Sequence, residues 1–327
     1  MHRRTREAGM SLVLAALAFF VAGALLLFHA GASSARRDEV TARALGQARE
    51  ALIAHAADRP IGTVVGPGFL PCPDLDDDGW AEPICGSLAG DRGQQQRLGR
   101  LPWKTLGLPD LRDGHGERLW YAVSTRYKGL LNCAASAACV DHSPATALGT
   151  ITVRDSSGAV THDGTRLDAQ RGGAVAVVLA PGPPLARAAP AGAAEQVREC
   201  AAGDCDASGR CVTEPPQRAA RCDPANYLDR APPERSGEDN ADFHDRSDAQ
   251  RARNTNGFIQ GPVQAGGATV VNDRLLAITY GDVMPRVMKR VGLELAQCLA
   301  FYASRPENAG RLPRPAPACP SGEAPPF

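Results

Sequence analysis

The N-terminal part of the chain carries two apolar patterns that follow one another without a break. Residues 9 to 35 contain no charged side chain, and the most apolar part of this stretch, residues 12–28, is about 17 residues long. Residues 35–57 are rich in strong helix formers, contain no proline, and place apolar side chains at steps of three or four. These positions are Val40, Ala44, Leu45, Ala48, Leu52 and Ala56. The pattern predicts one helix over residues 10–57, which ends before Pro60 because the residue that precedes a proline avoids helical geometry.

Arginines before the uncharged stretch bear on where the chain resides. Arg3, Arg4 and Arg6 predict a cytoplasmic N-terminus and export of the rest of the chain. With their small flanking residues, residues 10–32 reach the length of about 20 residues that spans a bilayer. The expected location is the inner membrane, single-pass, with a periplasmic head. A cleaved signal is an alternative, because Ala30-Gly31-Ala32 supplies a small-x-small site, and a plain signal anchor is another.

Beyond Pro60 the pattern changes to short apolar runs bounded by glycine and proline, which predict strands. A hairpin is expected where Ser157-Gly158 separates two such runs. The expected elements are strands over 119–123, 174–179 and 275–279, a hairpin over 151–160, a helix over 284–302 and a long polar loop over about 214–262. Trp103 and Trp120 are expected to anchor the core. The head is predicted to have two lobes, over 58–190 and 191–327.

The composition adds to this picture in two ways. Lys plus Arg and Asp plus Glu number 36 each, so the formal net charge is zero and nucleic acid is not an expected partner. Glycine (34) and proline (26) are plentiful, whereas aromatic residues make up only 5% of the chain. This composition is typical of a loop-rich head that needs bracing beyond the burial of apolar side chains.

Ten cysteines can provide that bracing. None forms a Cys-x-x-Cys pair, which argues against zinc-ribbon and thioredoxin-type sites and favours disulfides in an oxidising compartment. The expected local pairs are Cys72–Cys85, Cys133–Cys139 and Cys298–Cys319. The other four, Cys200, Cys205, Cys211 and Cys222, can pair in three ways, and the sequence does not choose among them.

The segment DLDDDGWAE at residues 74–82 is the sharpest candidate for a binding site. Carboxylates alternate along it and a glycine follows, as in the first half of a calcium loop, where alternate oxygens converge and the glycine permits the turn. The twelfth position, where a complete EF-hand has a bidentate glutamate, is Cys85, so only a shortened loop is predicted. The expected calcium ligands are Asp74, Asp76, Asp78, the Trp80 carbonyl and Glu82. The alternative is a solvated acidic turn between bridged cysteines.

The sequence lacks the common catalytic motifs. It has no Gly-x-Ser-x-Gly elbow, no His-Glu-x-x-His and no phosphate loop. Most of its histidines fall in glycine- or aspartate-rich turns, where they are usually solvated. The chain is therefore not expected to be an enzyme.

The N-terminal residues resemble a prepilin leader. A short basic leader, residues 1–9, ends in Gly9, and Met10 opens the long helix. The resemblance implies cleavage after Gly9 by a prepilin peptidase and methylation of Met10. The fifth residue after that bond is Leu14, where most such proteins have a glutamate that meets the N-terminal ammonium of a neighbouring subunit. A subunit without this glutamate is similar to the tip-capping minor pseudopilins.

Motifs in the head resemble a group of prepilin-like proteins associated with type II secretion and pili. They are LPCP at 70–73 with the acidic turn, GRLPWKTLGL at 99–108, GERLWYAV at 116–123, AVAVVLAPG at 174–182 and NDRLLAIT at 272–279. The resemblance covers most of the chain and implies a role in assembly.

An internal similarity links the ends of the two predicted helices. Arg-Pro, then Leu-Pro, then Cys-Pro occur after each helix, first at residues 59–60, 70–71 and 72–73, and again at 305–306, 312–313 and 319–320. Each helix is thus followed by a proline-rich strap that contains a cysteine. A duplication and a chance recurrence of helix-breaking residues both explain the pattern.

These observations predict an α+β protein in which a long N-terminal pilin-like helix, partly transmembrane, precedes a disulfide-braced globular head with antiparallel strands and a C-terminal helix. The predicted function is that of a structural subunit, minor and tip-like, of a type IV pilus or a type II secretion pseudopilus, exported and membrane-anchored before assembly. The expected partners are other pilin or pseudopilin subunits that contact the N-terminal helix, the prepilin peptidase, and the membrane. The alternative is a membrane-anchored extracytoplasmic binding protein that belongs to no filament.

Overall fold

The computed structural model describes residues 3–59, 66–83, 85, 97–124, 127–128, 149–165, 172–189, 192–233, 236–243 and 257–308. Within these residues the protein is a mixture of helices and sheets. The predicted Cys133–Cys139 pair and the predicted partner Cys319 lie outside the described residues.

The first element is a single helix, α1 (Arg3–Asp58), that is 56 residues long. Every described side chain between residues 17 and 40 is exposed, and the first buried one is Thr41. From there the helix buries the face whose apolar residues recur at steps of three and four: Ala44, Leu45, Ala48, Leu52, Ile53 and Ala56. The helix ends at Asp58, two residues before Pro60, as expected from the restriction that a proline places on the residue before it.

The predicted fold class is wrong in its transmembrane part. No helix in the described parts of the chain has a stretch long and apolar enough to cross a bilayer. A span requires about 20 consecutive apolar residues, and the uninterrupted apolar heart at 12–28 is about 17 residues long and lies between Ser11 and His29. The predicted span over 10–32 is corrected accordingly. So is the predicted location, a single-pass inner-membrane protein with a cytoplasmic N-terminus and a periplasmic head.

Eleven strands in the described residues form four sheets. In chain order they are β1 (Leu98–Arg100), β2 (Trp120–Val123), β3 (Thr152–Arg154), β4 (Val160–His162), β5 (Ala176–Ala180), β6 (Ala186–Ala189), β7 (Gly192–Glu195), β8 (Gly257–Ile259), β9 (Val263–Ala265), β10 (Ala268–Val271) and β11 (Arg274–Ile278). The central sheet has the order β1-β2-β5-β11 and is antiparallel throughout. Its inner strands, β2 and β5, are buried along their whole length, which is why they are continuous apolar runs in the sequence.

The two faces of the central sheet belong to different cores. On one face, Tyr121 and Val178 lie in a core with Leu52 and Ile53 of α1. On the other face a second core has as members Trp120, Val177, Leu179, Ile151, Phe258, Tyr227 and Leu228. The central sheet is therefore the middle of three layers, between the helices and the remaining strands and loops.

The third layer contains a sheet of order β4-β3-β8. β3 and β4 form the hairpin expected around Ser157-Gly158, and Gly158 has a φ of 89° in its turn. β3 pairs with β8 in parallel, although β8 falls within the stretch 214–262 that the sequence predicts to be loop. Three short 3-10 helices, Pro216–Arg218, Ala220–Cys222 and Pro224–Asn226, also lie in that stretch.

The second long helix, α2 (Tyr280–Ser304), starts four residues earlier than the sequence predicts, because the Asp282 carboxylate accepts the N–H of Thr279 at 2.8 Å and caps the first turn. It runs beside α1 in the same direction. The contacts that show this are the ion pairs Asp282–Arg49 (2.6 Å) and Arg286–Glu50 (2.5 Å) and the hydrogen bond from Arg290 to the Arg59 carbonyl (2.5 Å). Residue 290 is thus level with the end of α1, and the rest of α2 extends about 21 Å beyond it.

Three disulfides are present in the described residues: Cys72–Cys85, Cys200–Cys205 and Cys211–Cys222. The first is a pair expected from the sequence, and the other two resolve the middle four cysteines into neighbours along the chain. Cys298 is also disulfide-bonded. These bridges brace loops that bury few apolar side chains.

Candidate functional site

The acidic turn at residues 74–79 is fixed by its surroundings. Asp74 and Arg100 of β1 exchange backbone hydrogen bonds of 3.0 and 2.7 Å, and the Cys72–Cys85 bridge closes the segment. The chain reverses at Asp77 and Gly79, whose φ angles are 65° and 89°. A Cβ at residue 79 would lie 2.7 Å from the indole Nε1 of Trp103. Both the backbone conformation and this close approach therefore require glycine.

Three carboxylates of the turn converge. One oxygen from each of Asp74, Asp76 and Asp78 lies within 4.8 Å of the others. Asp74 and Asp76 are buried, and Asp78 is half-buried. Glu82, which the sequence adds to the ligand set, does not belong to this group; its Oε1 accepts the N–H of Leu75 at 3.4 Å.

Backbone hydrogen bonds orient the first carboxylate of the turn. Asp74 Oδ1 accepts the N–H of Asp77 at 2.8 Å, and Oδ2 accepts the N–H of Gly79 at 2.6 Å. Burial raises the pKa of Asp74 to about 8; the Gly79 N–H opposes this shift, and the charges of the neighbouring aspartates add to it. Burial also raises the pKa of Glu82 above its usual value. A cation among these oxygens would favour their ionised forms.

Asp77 lies on the other side of the turn, where arginines surround it. Its Oδ1 accepts a hydrogen bond from Arg118 at 2.8 Å, and its Oδ2 accepts one from Arg221 at 2.9 Å. The Nε of Arg100 is 3.9 Å from Oδ1. The Asp77 side chain is only 1% exposed. This carboxylate therefore compensates the charges of the arginines and is not accessible to an ion from solvent.

Arg100 connects the turn to the core. Its guanidinium carbon is 4.2 Å from the ring centroid of Trp120 and 3.9 Å from that of Tyr227, so the cation lies between two aromatic faces. Arg100 is buried, at 3% exposure. The two rings and Asp77 together compensate a charge that would be costly to bury alone.

The disulfide-bonded segment 200–222 covers the turn from outside. Arg210 donates to Asp76 Oδ2 at 2.6 Å, and the N–H of Cys211 donates to the Asp76 carbonyl at 2.7 Å. The Arg210 side chain is 50% exposed, so it can move into solvent at little cost. Asp76 Oδ1 accepts the Asp78 N–H at 3.3 Å, whereas the Arg210 hydrogen bond is to Oδ2.

Sequence reasoning missed the arginine partners of the turn. Arg118, Arg210 and Arg221 are 41, 134 and 144 residues away from the aspartates they contact. The sequence did contain one signal of such partners. Residues 74–78 contain four carboxylates in five positions, and carboxylates that become buried require compensating cations. The sequence did not say which cations these are.

The chemistry of the converging oxygens favours a hard cation. The donors are carboxylate oxygens without thiolate or imidazole, the set that Ca²⁺ and Mg²⁺ prefer. The described side chains supply three such ligands, fewer than the six to eight that Ca²⁺ usually takes. Backbone carbonyls and water would have to complete the shell.

A second candidate surface is the exposed part of α1. Its apolar side chains include Leu17, Phe19, Phe20 and Val21, which are 59%, 80%, 76% and 49% exposed. The predicted cleavage site, Gly9 and Met10, lies in the same helix. Contiguous apolar side chains of this size on a surface mark a site of interaction.

Comparison with known proteins adds no assignment. No protein-family model, no curated protein and no solved structure matches the chain. The features of the chain that bear on its function are the acidic turn, the exposed part of α1 and the motifs of the sequence.

Proposed function

We propose that this protein is a structural subunit of a filament of the type IV pilus or type II secretion pseudopilus kind. The exposed part of α1 is the surface that contacts neighbouring subunits. The observation that carries the proposal is the run of exposed apolar side chains at Leu17, Phe19, Phe20 and Val21 on a helix that continues into the head. The prepilin-like leader and the head motifs support the same role.

The dimensions of α1 suit such a contact. The first buried side chain of the helix is Thr41, and residues 3–40 correspond to about 57 Å of helix. In the other half of the helix, the buried face around Leu52 holds the helix on the central sheet. One rigid element thus joins an assembly surface to the head, which is the arrangement a filament subunit needs.

Two further features refine the proposal. Leu14 stands where a glutamate would be expected in most subunits of this kind, which favours a minor, tip-like position with no subunit above it. The three disulfides of the described residues favour assembly in an oxidising compartment. Processing after Gly9 and methylation of Met10 remain predictions from the leader.

The substitution Phe20→Asp tests the assembly surface. We expect it to reduce recovery of the protein in high-mass complexes from its native host by about tenfold or more, because an unpaired carboxylate in an apolar contact costs more than about 1.4 kcal/mol. The head should keep its melting temperature, since residue 20 is 76% exposed. Size-separated extracts, probed for the protein, measure the effect.

Val160→Asp is the matched control, because Val160 is also an exposed apolar residue, at 45%, but lies on the head. It should leave recovery unchanged. A photo-crosslinker at residue 20 should capture other chains, and one at residue 160 should not. Equal recovery of the Phe20→Asp variant and the wild type, or no crosslink at residue 20, would contradict the filament proposal and favour a binding protein outside any filament.

We also propose that the acidic turn binds calcium, with Asp74, Asp76, Asp78 and the Trp80 carbonyl as ligands. The convergence of the three carboxylates supports this proposal. The Arg210 side chain is half-exposed, so an ion at Asp76 can displace it into solvent at little cost. The Cys72–Cys85 bridge and the hydrogen bonds to Asp74 order the loop before binding, which lowers the entropy cost of closing it around an ion.

Thermal unfolding with and without calcium tests the proposal. Calcium at 100 times its dissociation constant should add about 2.7 kcal/mol to the free energy of unfolding, because the ion binds only the folded turn. Asp76→Asn with Asp78→Asn should abolish this gain, whereas Asp155→Asn, in an exposed aspartate turn of the β3–β4 hairpin, should keep it. Equal melting temperatures in chelator and in millimolar calcium would show that arginines alone neutralise the turn.

A further inference from the structure

The part of α2 that extends past α1 is apolar but exposed. Residues 291–303 contain a single charged side chain, Glu294, and none of these residues is buried. The large apolar side chains Leu293, Leu295, Leu299 and Phe301 are 57%, 56%, 40% and 49% exposed. Large apolar side chains that cluster on a surface mark a site of interaction. This end of α2 is therefore a candidate interaction surface.

The exposed apolar side chains lie on different sides of the helix. Two positions along a helix turn a side chain by about 200°. Leu293 and Leu295 are therefore on nearly opposite sides, and the same holds for Leu299 and Phe301. A protein partner that packs against one side of a helix buries a stripe and leaves the other side in water. A lipid layer surrounds an embedded helix and can cover both sides.

The covered side of α2 does not include these leucines. Val287 packs in the core that contains α1. Cys298, which is half-buried and disulfide-bonded, is eleven positions later and thus only about 20° from Val287 around the helix. Leu293 and Leu299 are each about 120° from Val287, on either side of it. Both therefore point away from the core and from the disulfide.

Cations border the apolar stretch, although the whole chain is formally neutral. Residues 286–305 contain four cationic side chains and one anionic side chain: Arg286, Lys289, Arg290, Arg305 and Glu294. The three arginines have acidic neighbours at 2.5–3.7 Å, but every member of these pairs is at least 27% exposed, so the pairs are weak and can exchange with phosphate. An apolar helix with a cationic border fits an anionic lipid surface, where acyl chains and phosphates meet.

The length of the apolar stretch limits how deeply it can enter a lipid layer. Residues 291–303 correspond to about 20 Å of helix, less than the hydrocarbon core of about 30 Å. No helix in the described parts of the chain is able to cross a bilayer. Glu294 and Gln297 are polar and must remain close to water. The helix end therefore fits the boundary between headgroups and acyl chains of one leaflet.

The direction of α2 places this surface far from the proposed assembly surface. α2 runs beside α1 in the same direction and is level with the end of α1 at residue 290. Phe20 and Asp58 are about 57 Å apart along α1. The two exposed apolar regions thus lie at opposite ends of the protein, and both can be occupied at the same time.

We propose that residues 286–305 of α2 form a site that embeds in an anionic phospholipid surface without crossing it. Acyl chains surround the four exposed apolar side chains, and lipid phosphates bind Lys289 and Arg305. The site does not depend on filament assembly. In a tip-like subunit it faces away from the filament, where no other subunit covers it.

Flotation of the full oxidised chain with phospholipid vesicles tests the proposal. Vesicles of phosphatidylcholine and phosphatidylglycerol in equal parts should carry the protein, and vesicles of phosphatidylcholine alone should carry several-fold less. A phospholipid with a photoreactive acyl chain should label both Leu293 and Leu295, on opposite sides of the helix. Mass spectrometry of the labelled peptides locates these positions and separates α2 from the exposed part of α1.

Variants in the Phe20→Asp background, which weakens any contribution of α1, test each side of α2. Leu293→Asp with Phe301→Asp, and separately Leu295→Asp with Leu299→Asp, should each lower the bound fraction about tenfold or more, because aspartate is costly among acyl chains. The matched control is Val197→Asp with Val212→Asp, at positions of the head that are 53% and 50% exposed. It should leave binding unchanged.

Four results would overturn the proposal. The first is the absence of flotation with anionic vesicles, and the second is labelling confined to α1. The third is a loss of binding in only one of the two double variants, because one-sided contact is the mark of a protein partner. The fourth is self-association of the lipid-free protein that the same α2 variants abolish, which would make a second copy the partner.

Discussion

Replacing Asp77 with asparagine should lower the free energy of unfolding by about 3–5 kcal/mol, the range seen when one partner of a buried ion pair is removed. Asparagine preserves the shape of the side chain but removes the anion that Arg118 and Arg221 share at 2.8 and 2.9 Å. The lost electrostatic interaction should cost most at Arg100, because this residue is 3% exposed and lies between two aromatic rings. It cannot turn to water to recover the lost interaction.

Urea unfolding of the oxidised protein in the presence of chelator measures this loss. Asp78→Asn is the matched control, since it is the next residue of the same turn but has a side chain that is 28% exposed. It should change the free energy of unfolding by less than about 1 kcal/mol. If both variants lose the same free energy, the arginines around Asp77 do not stabilise the turn as proposed.

A buried pair of aspartates, Asp229 and Asp273, should contribute a loss of stability as the pH rises from about 4 to 7. Asp273 is fully buried, and its Oδ2 accepts the N–H of Asp229 and the amide of Asn240, both at 2.8 Å. Burial raises the pKa of Asp229 to about 6. Burial, and then the charge of Asp229, raise the pKa of Asp273 well above its usual value.

The sign follows from proton binding. A carboxyl group with a raised folded pKa holds a proton that the unfolded chain has already released, so its contribution is complete below the unfolded pKa and is lost as the pH rises through the folded one. For Asp229 the window runs from the usual value of 3.8 to about 6, which corresponds to about 3 kcal/mol. Asp74, whose pKa burial raises to about 8, acts in the same sense. His55, whose pKa burial lowers to about 4, acts in the opposite sense over nearly the same window. Asp110 and Asp282, whose pKa values hydrogen bonds and arginines hold below the usual one despite partial burial, oppose the pair only in strong acid.

Urea unfolding at a series of pH values from 4 to 8 measures the contribution of the pair as a difference between variant and wild type. The free energy of unfolding of Asp273→Asn relative to the wild type should increase as the pH rises. The amide oxygen of asparagine can accept both hydrogen bonds that Asp273 Oδ2 now accepts, while the cost of ionising a buried group disappears. Asp38→Asn, at an exposed position of α1, should leave the slope unchanged. An Asp273→Asn variant whose stability has the same pH slope as the wild type would contradict this account of the aspartate pair.

The elements that the sequence predicted correctly have local signals. The buried face of α1 shows as steps of three and four from Ala44 to Leu52 and Ala56, and β2 and β5 show as unbroken apolar runs because both of their faces are covered. The convergence of Asp74, Asp76 and Asp78 is also local, since alternate residues of a tight turn point to the same side. Each of these features depends on a window of a few residues.

The features that the sequence missed depend on distant partners. β8 is only three residues long and exists because it pairs with β3, more than 100 residues earlier. Arg221 donates a hydrogen bond to Asp77 although 144 positions separate them in the sequence. No residue close to either one in the sequence indicates this contact. The transmembrane prediction failed for another reason. It counted the whole charge-free stretch toward the length of a span, whereas the strongly apolar residues occupy only the middle of that stretch.

The strand order of the central sheet determines when the protein can fold during its synthesis. β5 pairs with β2 on one side and with β11 on the other, and the ribosome makes β11 about 100 residues after β5. At typical elongation rates of about 5–20 residues per second, that delay is roughly 5–20 seconds. Throughout it, one edge of β5 is unpaired, and the apolar face of α1 lacks Val283 and Met284. Until the last strand of the sheet is made, the nascent chain therefore exposes an unpaired strand edge, a feature that favours pairing with other chains.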